Sequence, residues 1–554
     1  MSKLGLWDKF PPGYLPNWLE DSAWNSKATG LYPHEGSSTQ WEDVLKQLKD
    51  FSPDYRAILV SVIEQQSQGA LSEIQAQSLQ LLAQNNTFTV TTGQQIHFDL
   101  GPSYVFYKIV SAISLAQELA QKFPDSNFVP VFWMATEDHD FKEISQSVVF
   151  NNTYVWEAES YEGAGPVGRK SVIGLKPWLD WITSFFNNNS KSTAEIEIVT
   201  QIFTKPNQTL AAAIQQWVLW IFRDTSLLVL NPDEGRLKRA MIPTFIKEIT
   251  PNGGIYSSVE LQNLELKQQS LSPEAHVREC NLFYMNSELR ERLEASKEHA
   301  IGMISGKKWT TAEIITEIEH YPERFSPNVL LRPIYQQTIL PNIAYIAGPS
   351  EYKYWLQLPK ALSTQKVAIP ALILRKSGVF LSKSNEKKLN KWGFSLWDLF
   401  TLNEDEIRSK IFDKVDADYT MAPSLNILEE QLQVINSTLY RWNSADLKDI
   451  KLQGEQLLKA LKSIEKVEQE KAVNNLLSKA EWSALNQLKQ STANPKAPQE
   501  RQHHWIQELL NDPNSFYQYI QLFYQFTENS VDPTTAVEQR TKLQYFKEPF
   551  IVFC

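Results

Sequence analysis

The sequence predicts an α/β protein built around an open parallel sheet, and three observations carry that prediction. Short apolar runs recur at Thr87–Thr92, Phe128–Met134, Ser226–Leu230, Asn342–Ile346 and Val367–Leu374. Stretches with apolar residues three and four apart lie between them. Several runs break off into Gly-Pro steps or clustered ionisable residues. Buried strands alternating with helices imply parallel strands joined by crossovers.

The elements follow in order. Residues Val44 to Ala83 read as amphipathic helices, carrying Leu45 and Leu48, then Ile58, Leu59, Val62 and Ile63, then Leu79, Leu81 and Leu82. The β-branched run from Thr87 reads as a buried strand cut off by Gly93. After Gly101-Pro102, Tyr104 to Leu119 is apolar with helical period, and Pro102 suits a first helical turn. A second strand, Phe128–Met134, ends in Thr136-Glu137-Asp138-His139-Asp140. Strand, helix and strand in this span make a right-handed βαβ unit. The run at Ser226 ends at Asn231-Pro232-Asp233, and the run at Asn342 ends at Gly348-Pro349 before a helix near Glu351. Val367–Leu374 carries Pro370.

Beyond Pro423 the pattern changes. Leu428, Leu432, Ile435, Leu439 and Trp442 step alternately by four and three, an a/d heptad pattern. Ser444 is placed to cap a second helix, in which Leu457, Leu461 and Ile464 resume the spacing before Leu477, Leu485 and Leu488. The expectation is one helix to about Trp442, a longer one to about Leu488, and an antiparallel coiled-coil hairpin over 421–493. Asn494-Pro495 stops it, leaving a helical tail over 494–554 that packs on a core formed by 1–420.

Composition bounds the function. The chain has 554 residues, 42% of them hydrophobic and 17 of them Trp, enough for a large packed core. A net charge of -10 disfavours general nucleic-acid binding but leaves room for a local basic pocket. Cys280 and Cys554 alone make no disulfide framework, and a reducing cytoplasm is expected. The opening residues lack an apolar h-region, and no run is long and apolar enough to span a membrane.

Ligands of open parallel sheets bind at the carboxyl ends of strands. Three loops there carry candidate residues. Thr92-Gly93-Gln94-Gln95 with Gly101, Ser103 and Tyr104 offers close backbone approach and a helix start that suits a phosphate. In Glu137-Asp138-His139-Asp140, the carboxylates suit an amine or Mg²⁺ through water, and His139 suits a general base. Gly348 and Glu351 form the third, preceded by Arg332, which suits a carboxylate or phosphate, and Tyr335. No residue is assigned as a metal ligand. Adjacent His503 and His504 diverge on a helix, and Ser382-Lys383-Ser384 is too short to mark a nucleotide loop.

Several motifs together carry a resemblance. Thr92-Gly93-Gln94-Gln95 with Gly101-Pro102-Ser103-Tyr104 is one, and Val129-Pro130-Val131-Phe132-Trp133 with Glu137-Asp138-His139-Asp140-Phe141 is another. Arg278-Glu279 with Asn281-Leu282-Phe283-Tyr284, Ser326 to Pro333, Ala344 to Pro349, and Gln499-Glu500-Arg501 follow in order. In these the chain resembles the cysteine ligase family of bacillithiol biosynthesis, the BshC family, over nearly its whole length. The resemblance implies a Rossmann-type core with connecting-peptide insertions, roughly 150–225 and 235–325, and a coiled-coil domain used in homodimerisation. It implies addition of L-cysteine to glucosaminyl-malate. ATP is inferred by fold analogy as the activating nucleotide, with Mg²⁺ as a companion. Arg278 and Asn281 join the binding residues on this ground. The alternatives are a metal-dependent hydrolase using Glu137–Asp140 and a coiled-coil interaction protein without catalysis.

Overall fold

The structure is a computed structural model. It describes residues 4–7, 14, 27–28, 30–33, 38–157, 165–186, 189–412, 422–439, 452–464, 466–467, 477–494, 496–529 and 550–553. The chain forms two compact units: one from Leu15–Val379 with Gln499–Phe553 and the first residues, the other chiefly from Phe380–Pro498.

The first unit is centred on five parallel strands: β1 (Thr87–Gln95), β2 (Asn127–Ala135), β3 (Leu228–Leu230), β4 (Asn342–Ala347) and β5 (Ala371–Leu374). Their spatial order is β5-β4-β1-β2-β3, with every neighbouring pair parallel. The chain runs outward from β1 to β3 on one side and restarts at β4 on the other. The order therefore reverses between β1 and β4, where ligands of such sheets bind. Helix α1 (Ser103–Lys122) makes the crossover from β1 to β2.

One face of the sheet packs Phe88, Val90, Ile343, Ile346 and Ile373 against Leu115 and Leu119 of α1, with Trp41, Val44 and Leu48 from the helix Ser38–Leu48. Each such side chain contributes about 1.5–3 kcal/mol when fully buried. α1 is apolar nearly all round because its other face is covered too. Phe106 lies 5.4 Å from Trp505 and 5.2 Å from Phe516, ring centre to ring centre.

The sequence-predicted strands appear, with differences at their ends: those expected from Ser226 and Val367 begin at Leu228 and Ala371. β1 does not stop at Gly93 but runs in register with β2 to Gln95, Gly93 pairing with Trp133. A side chain at Gly93 would stand 3.3 Å from the Tyr345 hydroxyl and 3.5 Å from Trp133. The glycine thus serves close packing inside a strand rather than a turn.

Residues between β3 and β4 contain a second sheet that the sequence reading did not anticipate. Its five antiparallel strands run, in spatial order, Lys308–Thr310, His299–Gly302, Arg290–Ala295, Leu282–Met285 and Phe325–Pro327. After residue 498 the chain returns to the first unit as helices Gln499–Gln502, Ile506–Asn511 and Pro513–Asn529. It ends with Phe550–Phe553 antiparallel to Leu4–Trp7, a pairing the expected helical tail lacked.

The second unit is helical. Helices Lys383–Trp392, Leu396–Thr401 and Glu404–Phe412 precede Ala422–Leu439, a helical stretch at 452–464, and Lys479–Ala493. Lys462 pairs with Glu429 between the two heptad-bearing segments. The predicted turn, with Trp442 and Ser444, lies outside the described residues. The second helix does not run unbroken to Leu488. Ser478 starts a new one, its side chain and that of Glu481 forming a reciprocal capping box. Among the described residues no helix is long and apolar enough to cross a membrane.

Candidate active site

All five strands of the parallel sheet deliver site residues at their carboxyl ends. Gly93, Gln94 and Gln95 come from β1, Glu137 and Asp138 follow β2, and Asp233 follows β3. Gly348 and Glu351 follow β4, and Arg375 follows β5. A cavity of about 570 Å³ opens there, lined by these residues except Asp233, which stands behind Glu137 through Lys238, and by Tyr104, Lys108, Trp133, Arg290, Asn328, Arg332, Tyr345, Tyr354 and Arg501.

Lys108 occupies the cavity floor. It is the one cation on the buried part of α1, and its ammonium donates to the Gly93 carbonyl, to Gln94 Oε1 at 3.1 Å and to Glu351 Oε2 at 2.5 Å. Burial lowers its pKa, a shift that the Glu351 carboxylate opposes. Glu351 is held further by the Gly348 N–H at 2.7 Å and the Tyr345 hydroxyl at 2.8 Å. Gly348 opens the helix Pro349–Trp355, so Glu351 closes its first turn. Arg332 lies beside them, donating to Gln336 Oε1 at 2.9 Å, its guanidinium 5.3 Å from the Tyr345 ring. Arg375 is clamped by Glu500 through two bonds of 2.9 and 2.5 Å, and both side chains are buried.

The opposite wall is acidic. Glu137 is buried beside Lys238, 2.5 Å away, which also reaches Asp233 at 3.1 Å. Arg169 grips Asp233 with two bonds of 2.6 and 2.8 Å. Burial raises the Glu137 carboxyl above the usual range despite Lys238. Burial would also raise Asp138. Its contact with His139, the charge of Arg290 and the backbone N–H groups of Asp140 and His139 outweigh this and bring it to about 2. Arg290 comes from the second sheet. It stacks 3.8 Å from the Phe283 ring centre, donates to Ser326 Oγ and to the Pro327 carbonyl, and meets His139 Nδ1 at 3.0 Å. A guanidinium only donates, so a hydrogen bond in this contact makes His139 Nδ1 the acceptor.

The sequence-predicted residues divide accordingly. Gly93, Gln94, Gln95, Tyr104, Glu137, Asp138, Arg332, Gly348 and Glu351 line the cavity. His139 and Asp140 stand just behind it. Asp140 Oδ1 caps the helix Phe141–Ile144, while its carbonyl receives the Gln95 amide at 3.2 Å. Thr92 is turned away, its hydroxyl bonded to the Ile346 carbonyl at 2.9 Å across the sheet. Tyr335 is likewise structural here, its hydroxyl donating to the Pro232 carbonyl at 2.8 Å. Gly101 adopts φ 78 in a tight turn, its N–H on Asp99.

The open helix start expected at Ser103 is not free. The Ser103 N–H donates to the His503 carbonyl at 2.8 Å, and its hydroxyl contacts the same residue. Arg278 is exposed and lines a separate surface pocket. Asn281 is buried, bonded to Glu248, and braces the cavity residue Asn328 at 2.8 Å. Lys108, Arg290 and Arg375 were not singled out from the sequence. Lys108 did carry a signal, as a cation inside an otherwise apolar helical stretch.

A doubly flanked parallel sheet with a polar cavity at its strand-order reversal defines a Rossmann-like α/β enzyme core. The family model described as "Bacillithiol biosynthesis BshC, N-terminal Rossmann-like domain" matches residues 21–376. The BshC protein of Flavobacterium johnsoniae is 32% identical over 458 residues, 82% of this chain and 85% of that protein. The BshC proteins of Christiangramia forsetii and Cytophaga hutchinsonii are 31% and 30% identical, over 76% and 87% of this chain and 79% and 88% of theirs. This chain belongs to the BshC family, the cysteine ligases of bacillithiol biosynthesis, and is a ligase that forms an amide bond.

Proposed function

We propose that the cavity joins the carboxyl of L-cysteine to the amine of glucosaminyl-malate after a nucleotide, ATP, has activated the carboxylate. The observation that carries this reading is the opposition of charge within one cavity. Lys108, Arg332, Arg375 and Arg501 supply cations for phosphate and carboxylate groups, while Glu137 and Asp138 supply carboxylates for an ammonium. Amide formation from a free carboxylate needs both: an anion held while it is activated, and an amine that is bound charged and attacks neutral.

The bond changes assign roles. The neutral amine attacks the activated acyl carbon, the C–N bond forms, and the C–O bond to the phosphoryl group breaks as that group leaves with its electron pair. The ammonium proton goes first to Glu137, whose raised pKa suits a general base. Asp138 stays ionised and orients the ammonium, or holds a Mg²⁺ through water. His139, its Nδ1 lone pair taken by Arg290, acts in this reading as a positioning residue for that arginine. The hydrolase alternative has less support, because Asp140 caps a helix and His139 Nδ1 faces Arg290.

The test is product formation by the purified chain with L-cysteine, glucosaminyl-malate and ATP, followed by mass spectrometry, with AMP and ADP quantified in parallel. The reading expects cysteine adduct and nucleotide product in equal amounts. Adduct formed equally fast without nucleotide would remove the activation step. The homodimer through 421–493 belongs to the same proposal, and light scattering of the Leu432→Glu variant, expected to be monomeric, tests it.

A further inference from the structure

We propose that His97, Asp99 and His504 form a structural site for a divalent cation of the zinc class, separate from the cavity. Their ligand atoms all lie within 4.8 Å of one another, and all three residues are buried. None of them lines the cavity.

Asp99 is wholly inaccessible to solvent and turns both carboxylate oxygens toward imidazole nitrogens. Oδ1 contacts His97 Nδ1, and Oδ2 lies 2.6 Å from His504 Nδ1. The Gly101 N–H adds a bond to Oδ1 at 2.9 Å. The Asp99 N–H also points at His97 Nδ1, at 3.4 Å. Each imidazole Nδ1 faces one carboxylate oxygen at hydrogen-bonding distance, and a divalent cation would displace the protons held in these contacts and take the three ligand atoms in their place. Two neutral imidazoles and one carboxylate make a borderline-soft donor set that suits Zn²⁺, with bonds of about 2.0–2.2 Å. All three residues are buried and none lines the cavity, which fits an ion held for structure rather than one that meets substrate.

The placement gives such an ion a task. His97 and Asp99 lie in the loop that follows Gly93, Gln94 and Gln95, and His504 lies three residues after Arg501. A metal here pins the loop after β1 to the returning chain segment, both of which contribute to the cavity wall. The existing links, Pro102 bridged to His504 and Trp505 Nε1 bonded to the Leu100 carbonyl at 3.1 Å, run across the same junction.

The experiment uses the full chain without a histidine tag, purified without chelator. Elemental analysis should find about one zinc per chain, since a prebuilt site of this kind binds tightly near neutral pH. Removing the metal should lower the melting temperature and re-adding Zn²⁺ should restore it, while Co²⁺ should give the visible absorption of a nitrogen- and oxygen-ligated site. His504→Gln and Asp99→Asn should lose the metal. Wild-type protein that is metal-free, with melting and spectrum unchanged by chelator, Zn²⁺ and Co²⁺, overturns the proposal without recourse to any variant. A metal lost in Asp138→Asn but kept in His504→Gln also overturns it, because the ion then belongs to the cavity.

Discussion

The ammonium of Lys108 lies 2.5 Å from Glu351 Oε2, joining residues 243 positions apart at the seam between β1 and β4. That pair fixes the floor of the cavity, because the same ammonium holds the Gly93 carbonyl and the same carboxylate holds the Gly348 N–H.

Lys108→Met should therefore cost both stability and activity. Removing one partner of a buried pair leaves the other uncompensated, a loss of about 3–5 kcal/mol. Adding Glu351→Gln should recover part of the melting temperature but none of the product formation. Chemical denaturation of the two singles and the double gives the coupling. Additive losses would show that the two charges do not act as a pair.

Glu137→Gln should reduce kcat by about 10²–10⁴-fold, the range for loss of a general base. His139→Ala, which frees Arg290 without removing the base, should cost less, about 10-fold on this scale. If His139→Ala instead loses as much as Glu137→Gln and also flattens the pH–rate profile, the base is His139.

Asp138 fixes a pH dependence of stability. Its folded-state pKa, about 2, lies below the ordinary value, so its contribution is present above the unfolded pKa and lost as pH falls toward 2. Asp138→Asn should melt lower than wild type near neutrality, and the two melting curves should converge below about pH 4, where the unfolded carboxyl protonates. A constant difference down to pH 2 would contradict the assignment.

Cys280 should be chemically silent in the folded protein. Burial and the charge of Glu248 push its thiol up to about 12, which leaves about one thiolate in ten thousand at pH 8. Iodoacetamide followed by peptide mass mapping should leave Cys280 unmodified until denaturant is added.

Much of the central sheet could be read in the sequence because its strands are buried on both faces and built from short runs of apolar and β-branched residues, which need no partner to announce themselves. Glu137, Asp138, Gly348 and Glu351 were legible for the complementary reason: charge and glycine directly after such runs have few structural explanations. The second sheet was not legible. Strands such as Arg290–Ala295, with Arg290, Glu291 and Arg292 in a row and Glu294 after Leu293, lack the alternation of a half-buried strand and resemble solvated loop. Arg290 reaches the cavity only through that sheet, so its role depends on pairing that no local pattern encodes. Ser103 failed for a related reason. Its helix start looked open because the His503 carbonyl that occupies it lies 400 positions away. The break at Ser478 was recorded locally, as Ser followed three residues later by Glu, but the continuing leucine spacing masked it.

The return of residues 499–529 to the first unit has a consequence for the order in which the protein can be made. Arg375 is buried against Glu500, and Phe106 is covered by Trp505 and Phe516, so the parallel sheet waits for partners that leave the ribosome after the entire 380–498 unit. A nascent chain paused before residue 499 holds an unneutralised guanidinium and a bare aromatic face on α1, which makes it a substrate for chaperones. A chain released before residue 499 therefore lacks Arg501 from the cavity wall as well as the aromatic cover over α1.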